Sequence, residues 1–229
     1  AERFYDESRL KSYYHRDFKE SYKSLNNGSS ANVDGIIKSL SKPARYLQHT
    51  YIAANPNELG SKDALTISTV PSSYDSLHQE YHPTFRKFLQ TYGYYDIFIV
   101  DANNGHIVYS VFKELDFGTS LLKGPYKDSG LAEAYQAGLN LKSPNDTALI
   151  DFKPYLPSYN AAASFIASPI VQNDTTVGIL IFQMPIDGIN EIMTSRGKWQ
   201  EAGFGDSGET YLIGPDQLLR SQSRFLMED

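Results

Sequence analysis

The apolar residues of this chain change their spacing once, at Gly93-Tyr94. Before it they recur every three or four positions; after it they fall into short β-branched and aromatic runs separated by turn residues. The first pattern is that of amphipathic helices and the second that of strands, so the class is α+β. Leu10, Tyr14, Phe18, Tyr22 and Leu25 put a stripe on a long N-terminal helix over residues 4–25. A second helix begins near Asn32, with Val33, Ile36, Ile37, Leu40, Ala44 and Leu47 on one side. Pro43 either kinks it or restarts it behind Ser41 as an N-cap. A third helix runs from Tyr74 to Tyr92, with Gly93 as its stop.

Tyr94–Asp101 and His106–Phe112 read as strands around Asn103-Asn104-Gly105, where Asn-Gly supplies positive φ cheaply. A short helix follows over 129–138, capped by Ser129. Strands at 147–155, 161–172 and 176–185 and a helix at 187–194 complete the order. Strands joined by short turns are antiparallel neighbours. The expected architecture is one five-stranded antiparallel sheet with helices packed to one side. At the end, Gly208–Gly214 with Pro215 and Leu219-Arg220-Ser221 reads as a turn, a strand, a tight turn and a second strand. A hairpin is only marginally stable alone, so the sequence is expected to be a piece of a longer protein.

Composition excludes several classes. The 229 residues carry a net charge of −6, against the basic surface that nucleic acids require. Cysteine is absent, which removes disulfides, zinc thiolates and cysteine nucleophiles. No apolar run approaches the roughly 18 residues of a membrane span, so any membrane contact is expected through flanking segments. Seventeen tyrosines suit a pocket that needs apolar bodies with polar tips.

Gly205-Asp206-Ser207-Gly208 matches the tetrapeptide around a protease serine. None of the five histidines stands in a context that would make it the base, and a glycine-rich turn explains the match. His78 and His82 share a helix face, yet a zincin needs Glu directly after the first, where Gln79 stands. Surface histidines are the expectation there. Asp101-Ala102-Asn103-Asn104-Gly105 begins like a calcium loop but has His106 and Phe112 where glycine and glutamate belong. Asn27-Gly28-Ser29, Asn145-Asp146-Thr147 and Asn173-Asp174-Thr175 fit the glycosylation pattern, a common coincidence. No catalytic residue, metal or cofactor is expected.

Lys113-Glu114-Leu115-Asp116-Phe117-Gly118-Thr119, then Gly124-Pro125-Tyr126-Lys127-Asp128-Ser129-Gly130-Leu131-Ala132, following a strand, an Asn-Gly turn and a strand, resemble the membrane-distal half of double-Cache sensor domains, also called double PDC or PAS-like domains. Gly208–Gly214 with Leu219-Arg220-Ser221 resembles the entry to their membrane-proximal half. The resemblance implies a helical region at 1–92, a distal PAS-like ligand-binding domain at 93–196 and the beginning of a proximal one at 197–229. It implies the periplasmic part of a bacterial inner-membrane receptor, a sensor histidine kinase first, with a chemoreceptor or cyclase as the alternative output. In the amino-acid-binding branch a Tyr, Arg, Trp, Tyr cluster lines the pocket; Gly124–Tyr135 holds no Arg or Trp here. A structural ectodomain that binds protein partners is the reading from another class.

Polar residues on otherwise apolar strands mark the expected pocket, because a buried polar group must find a partner. Tyr109 and Lys113 are four apart on the second strand, and Tyr126 lies in the loop before the short helix. Asp151, Lys153 and Tyr155 alternate onto one face of the third strand, and Ser164 sits in an Ala-rich strand. Two lysines, a carboxylate and several hydroxyls suit a small carboxylate or zwitterion. The N-terminal stripe packs either on its own sheet or, as a near-heptad seam, against a second copy in a homodimer.

Overall fold

The protein's computed structural model describes residues 5–69 and 72–228. The chain divides into two compact units, meeting in sequence between Gln183 and Met184.

The first unit opens with α1, a helical run over 7–25 whose middle, Tyr13–Phe18, is π-helical. Asp6 caps it, its carboxylate accepting from the backbone of Ser8 at 2.9 Å and Arg9 at 3.2 Å. The expected start at Phe4 lies outside the described residues. Leu10, Tyr14 and Phe18 are buried in the core of their own chain, while Leu25 is exposed. Asn32 caps α2 (Val33–Ser39) and Ser41 caps α3 (Lys42–Gln48), which runs on through a π turn, His49–Ala53. Pro43 lies in the first turn of α3, where its missing N–H is no loss, so the helix restarts there. Helix α4 (Ser73–Tyr92) opens on a Ser72/Asp75 capping box and stops at Gly93, whose φ is +72°.

The sheet contains β1 (Asp96–Asp101), β2 (Ile107–Ser110), β3 (Ala148–Tyr155), β4 (Ala161–Gln172) and β5 (Thr175–Gln183). They are antiparallel in the order β2-β1-β5-β4-β3. Helix α5 (Gly130–Asn140), capped by Ser129, joins β2's side to β3. Phe98, Val100, Ile107, Phe165, Ala167, Ile179 and Ile181 point to one face and share a core with α1, α2, α3 and α5. Ile97, Tyr109 and Val111 point to the other and meet Phe85 and Leu89 of α4. Helices therefore cover both faces, not one as expected. Alternation puts neighbours such as Ile97 and Phe98 on opposite sides, and both are fully buried, so both sides need a cover.

Two bulges change which residues face inward. Ile99 pairs with Tyr109 and Val100 with Ile107, which leaves Val108 as an extra residue. Ile107 thus faces the inner core and Tyr109 the outer one. On β3 the register against β4 shifts between Ile150 and Lys153.

The second unit contains α6 (Ile186–Met193) and α7 (Arg224–Glu228). The expected terminal hairpin closes its turn, with Gly214 N–H on the Leu218 carbonyl at 2.9 Å, yet only one bridge forms, Ile213 to Leu219. No third strand stands beside it among the described residues to extend a ladder. Gly205 and Gly208 turn their carbonyls to the buried Arg224 guanidinium at 3.0 and 3.1 Å, which is the structural use of the Gly-Asp-Ser-Gly stretch. No helix of the described residues is long and apolar enough to cross a membrane.

Candidate functional site

The site begins where β2 ends. Asp96, fully buried at the start of β1, accepts from the backbone N–H groups of Ile97, Val111 and Phe112 at 2.6–3.0 Å and from the Ser110 hydroxyl at 2.8 Å. These bonds fold residues 110–113 into a turn, in which Lys113 takes a φ of +62°. Burial raises the Asp96 carboxyl and lowers the Lys113 ammonium, and each charge favours the other's. The turn swings the following segment across the inner face of the sheet.

That segment brings Glu114 and Asp116 inside. Glu114 accepts from Tyr95 at 3.0 Å and Ser158 at 2.8 Å. Asp116 accepts from the Tyr155 hydroxyl through Oδ2, while its Oδ1 is buried without a hydrogen-bond partner. The Tyr126 hydroxyl is likewise buried and unpartnered, and its ring lies 6.4 Å from that of Tyr155. Gln48 on α3 holds the segment from behind, its amide donating to the carbonyls of Leu115 at 2.6 Å and Phe117 at 2.9 Å. A cavity of 160 Å³ adjoins this group, with Tyr13 and Phe18 of α1, Tyr95, Glu114 and Tyr159 among its walls.

Burial pushes the Asp116 carboxyl up to about 7. Burial, then the Asp116 and Asp96 charges, hold Glu114 well above the usual carboxylate range. Of these two acids, Asp116 exchanges near neutral pH between donating and accepting, and Glu114 favours its protonated form more than an exposed glutamate does. A cation beside them would draw off the protons and be held by the resulting charge.

No model of a known protein family matches this chain, and no curated protein does. Three solved structures illustrate what its fold aligns with. The sensor domain of the V. cholerae histidine kinase DctB aligns with 80% of this chain and 58% of its own, at 14% identity and a TM-score of 0.37. The ligand-binding domain of the Campylobacter jejuni chemoreceptor Tlp3, in complex with 4-methylisoleucine, aligns over 97% and 73%, at 12% identity and 0.44. That of the Pseudomonas aeruginosa amino acid chemoreceptor PctC, in complex with GABA, aligns over 95% and 78%, at 11% identity and 0.42. The chain spans 58% of the DctB domain and 60% of the extracellular domain of a histidine kinase, vpHK1S-Z8.

Of the residues singled out in the sequence, the interior gathers Tyr126 and Tyr155. Tyr109 and Lys113 meet each other, the ammonium 4.6 Å from the ring centroid, but through the left-handed turn and not by strand alternation. The Lys113 ammonium also donates to the Ser110 carbonyl and lies 5.2 Å from the Phe117 ring. Asp151 and Lys153 are exposed; the β3 bulge separates Asp151 from the face of Tyr155, whereas Lys153 and Tyr155 keep one unbroken register, opposite Ala163 and Ala161. Asp151 accepts from the Phe152 backbone at 2.7 Å, and Lys153 pairs with Glu133 of α5 at 2.7 Å. Ser164 is buried on the face opposite Phe165 and donates to the Ile150 carbonyl at 2.7 Å. Buried Lys113 lines the 160 Å³ cavity next to Glu114, and Lys62 is also among its walls, whereas Lys153 is not.

Sequence reasoning missed Glu114 and Asp116, although both stand in the stretch that carried the family resemblance. It also misplaced His78 and His82, which are buried and not on the surface. Their rings stack at 4.2 Å. His78 Nδ1 donates to the Thr66 carbonyl, and His82 bridges the Tyr109 hydroxyl and the Asp63 carbonyl, each at 2.7–2.8 Å. Burial, with the nearby Lys113 charge, lowers them to about 3 and about 4.

Proposed function

We propose that this chain is the ligand-sensing, periplasmic part of a bacterial inner-membrane receptor, and that its ligand is a small metabolite carrying a cationic group. The observation that supports it most is the unpartnered pair inside the distal sheet, Asp116 Oδ1 and the Tyr126 hydroxyl. Leaving a buried polar atom unmet costs about 1–3 kcal/mol, so two in one core, on a segment whose Glu114 lines the 160 Å³ cavity, support a recognition role for that segment. Glu114 and Asp116 supply the acceptors that an ammonium needs, and Tyr126 supplies a hydroxyl for its neighbour atom. By the resemblance of the 94–132 stretch, the output is a histidine kinase, and residues 197–229 open a second PAS-like domain.

Signalling would be a population shift. A ligand that prefers one arrangement of the 113–126 segment biases that segment and, through Gln48, the helices α3 and α1. The energy at its disposal is the difference in its affinity for the two arrangements, typically about 1–3 kcal/mol.

The test is a thermal-shift screen of small amines, amino acids and carboxylates at pH 7. Ligands with a free amine are expected to raise the melting temperature. Asp116→Asn and Tyr126→Phe are each expected to weaken the best of them about tenfold or more. Hits confined to acids without an amine, or hits indifferent to both substitutions, would remove this reading.

A further inference from the structure

We propose a second ligand site, outside the interior acid cluster, that takes a small organic acid. It is a cavity of 360 Å³ between the β1–β2 hairpin, the α2–α3 junction and the loop 119–125. Its walls include none of Glu114, Asp116, Tyr126 or Tyr155. Its volume lies within the range of small-molecule sites, roughly 300–1,000 Å³.

The walls are fixed by the main chain. Ile107 donates to the Thr119 carbonyl at 2.9 Å and Leu121 to that of Gly105 at 2.8 Å. The Ser120 hydroxyl donates to the Asn104 carbonyl at 2.9 Å, and His106 and Ser120 form a bridge. Gly105, at a φ of +67°, lets the loop come this close, since a Cβ there would stand 2.9 Å from Leu122. A site held by such a ladder needs little ordering when a guest arrives.

Its chemistry is one-sided. Neither Asp nor Glu is among its lining residues, although the chain as a whole has a net charge of −6. Asn104 Oδ1 is already used, accepting from the backbone N–H of His106 at 2.9 Å and from its Nδ1 at 2.8 Å. The Asn104 amide therefore has only its N–H donors to offer. Lys123, exposed at the rim, has no carboxylate partner among the described residues. One ammonium and the amide donors of Asn103 and Asn104 suit a single negative charge. Leu40 and Leu122 add apolar wall, which suits a short hydrocarbon body and is wasted on an inorganic ion.

Calorimetric titration of the chain with sodium n-butyrate, n-butyramide and inorganic phosphate tests this. Saturable butyrate binding is expected, with butyramide and phosphate each about tenfold weaker or worse. Lys123→Ala should lose about tenfold in butyrate affinity with an unchanged urea midpoint, whereas Lys142→Ala, on another surface stretch, should lose nothing. Tyr126→Phe should also leave butyrate binding intact, which separates this site from the interior one. Absence of saturable binding, equal loss in the two lysine variants, phosphate matching butyrate, or loss in Tyr126→Phe would each overturn the assignment.

Discussion

The Tyr14 hydroxyl donates to Gln48 Oε1 at 2.6 Å, in a part of the core that solvent does not reach. Through the other end of its amide, Gln48 holds the carbonyls on either side of Asp116. One glutamine thus ties the N-terminal helix to the segment that carries the acid. Gln48→Leu strands three polar groups at once. Each costs about 1–3 kcal/mol when buried unmet, and partial relaxation should leave a loss of roughly 2–4 kcal/mol. Urea unfolding with an unchanged m-value would read it; a loss under about 0.5 kcal/mol would contradict the arrangement.

Asp116 has a sign that can be checked. Its carboxyl titrates at about 7 in the folded protein and near 3.9 in an unfolded chain. Between those values the native state holds the extra proton, so this group's contribution is fully present below about pH 4 and fades as pH rises through 7. Asp116→Asn should therefore flatten the fall in stability from pH 5 to pH 8. At pH 8 it should be more stable than the parent, on the order of a few kcal/mol. Urea midpoints at the two pH values decide it.

The histidine pair carries the opposite sign. His78 and His82 titrate at about 3 and about 4 against about 6.5 unfolded. The unfolded chain takes up protons first, so their contribution is present above pH 6.5 and is lost as pH falls toward 4. His78→Phe should make the drop in melting temperature from pH 7 to pH 5 shallower, whatever it costs at pH 7. An identical slope would show that His78 is not held neutral.

Lys153→Ala should change stability by less than about 0.5 kcal/mol, since its ion pair with Glu133 joins two exposed side chains. It should leave binding in the interior untouched. A tenfold loss of ligand affinity in this variant would return Lys153 to the site.

Gly105→Ala forces a side chain into a left-handed φ and against Leu122. A cost of about 1–3 kcal/mol follows, measurable as a lowered melting temperature, together with weaker butyrate binding.

Much of the architecture can be read along the chain. Asn32, Ser41 and Gly93 act where local capping chemistry puts them, and the switch of period at Gly93 separates helices from sheet. The strand runs and their turns are local signals too. What escapes is non-local or irregular. An alternating pattern through Asp151, Lys153 and Tyr155 carries no mark of the bulge that breaks it. The i, i+4 spacing of His78 and His82 fixes their common face but not what covers it, which is Tyr109 of β2. Gln48 reaches Leu115 from 67 positions away. Asp116 looks in the sequence like one more loop acid; only the fold buries it beside Tyr126 and Tyr155.

The bulge on β3 has an effect beyond the side chains it reorients. β3 ends the sheet, and an outermost strand invites another molecule to zip onto its free amides and carbonyls. Here the regular spacing of those groups is interrupted between Ile150 and Lys153, Pro154 offers no amide hydrogen, and the Lys153 charge stands guard next to it. The same irregularity that separates Asp151 from the face of Tyr155 gives this margin protection against intermolecular sheet growth, despite the exposed Leu149 on the same strand.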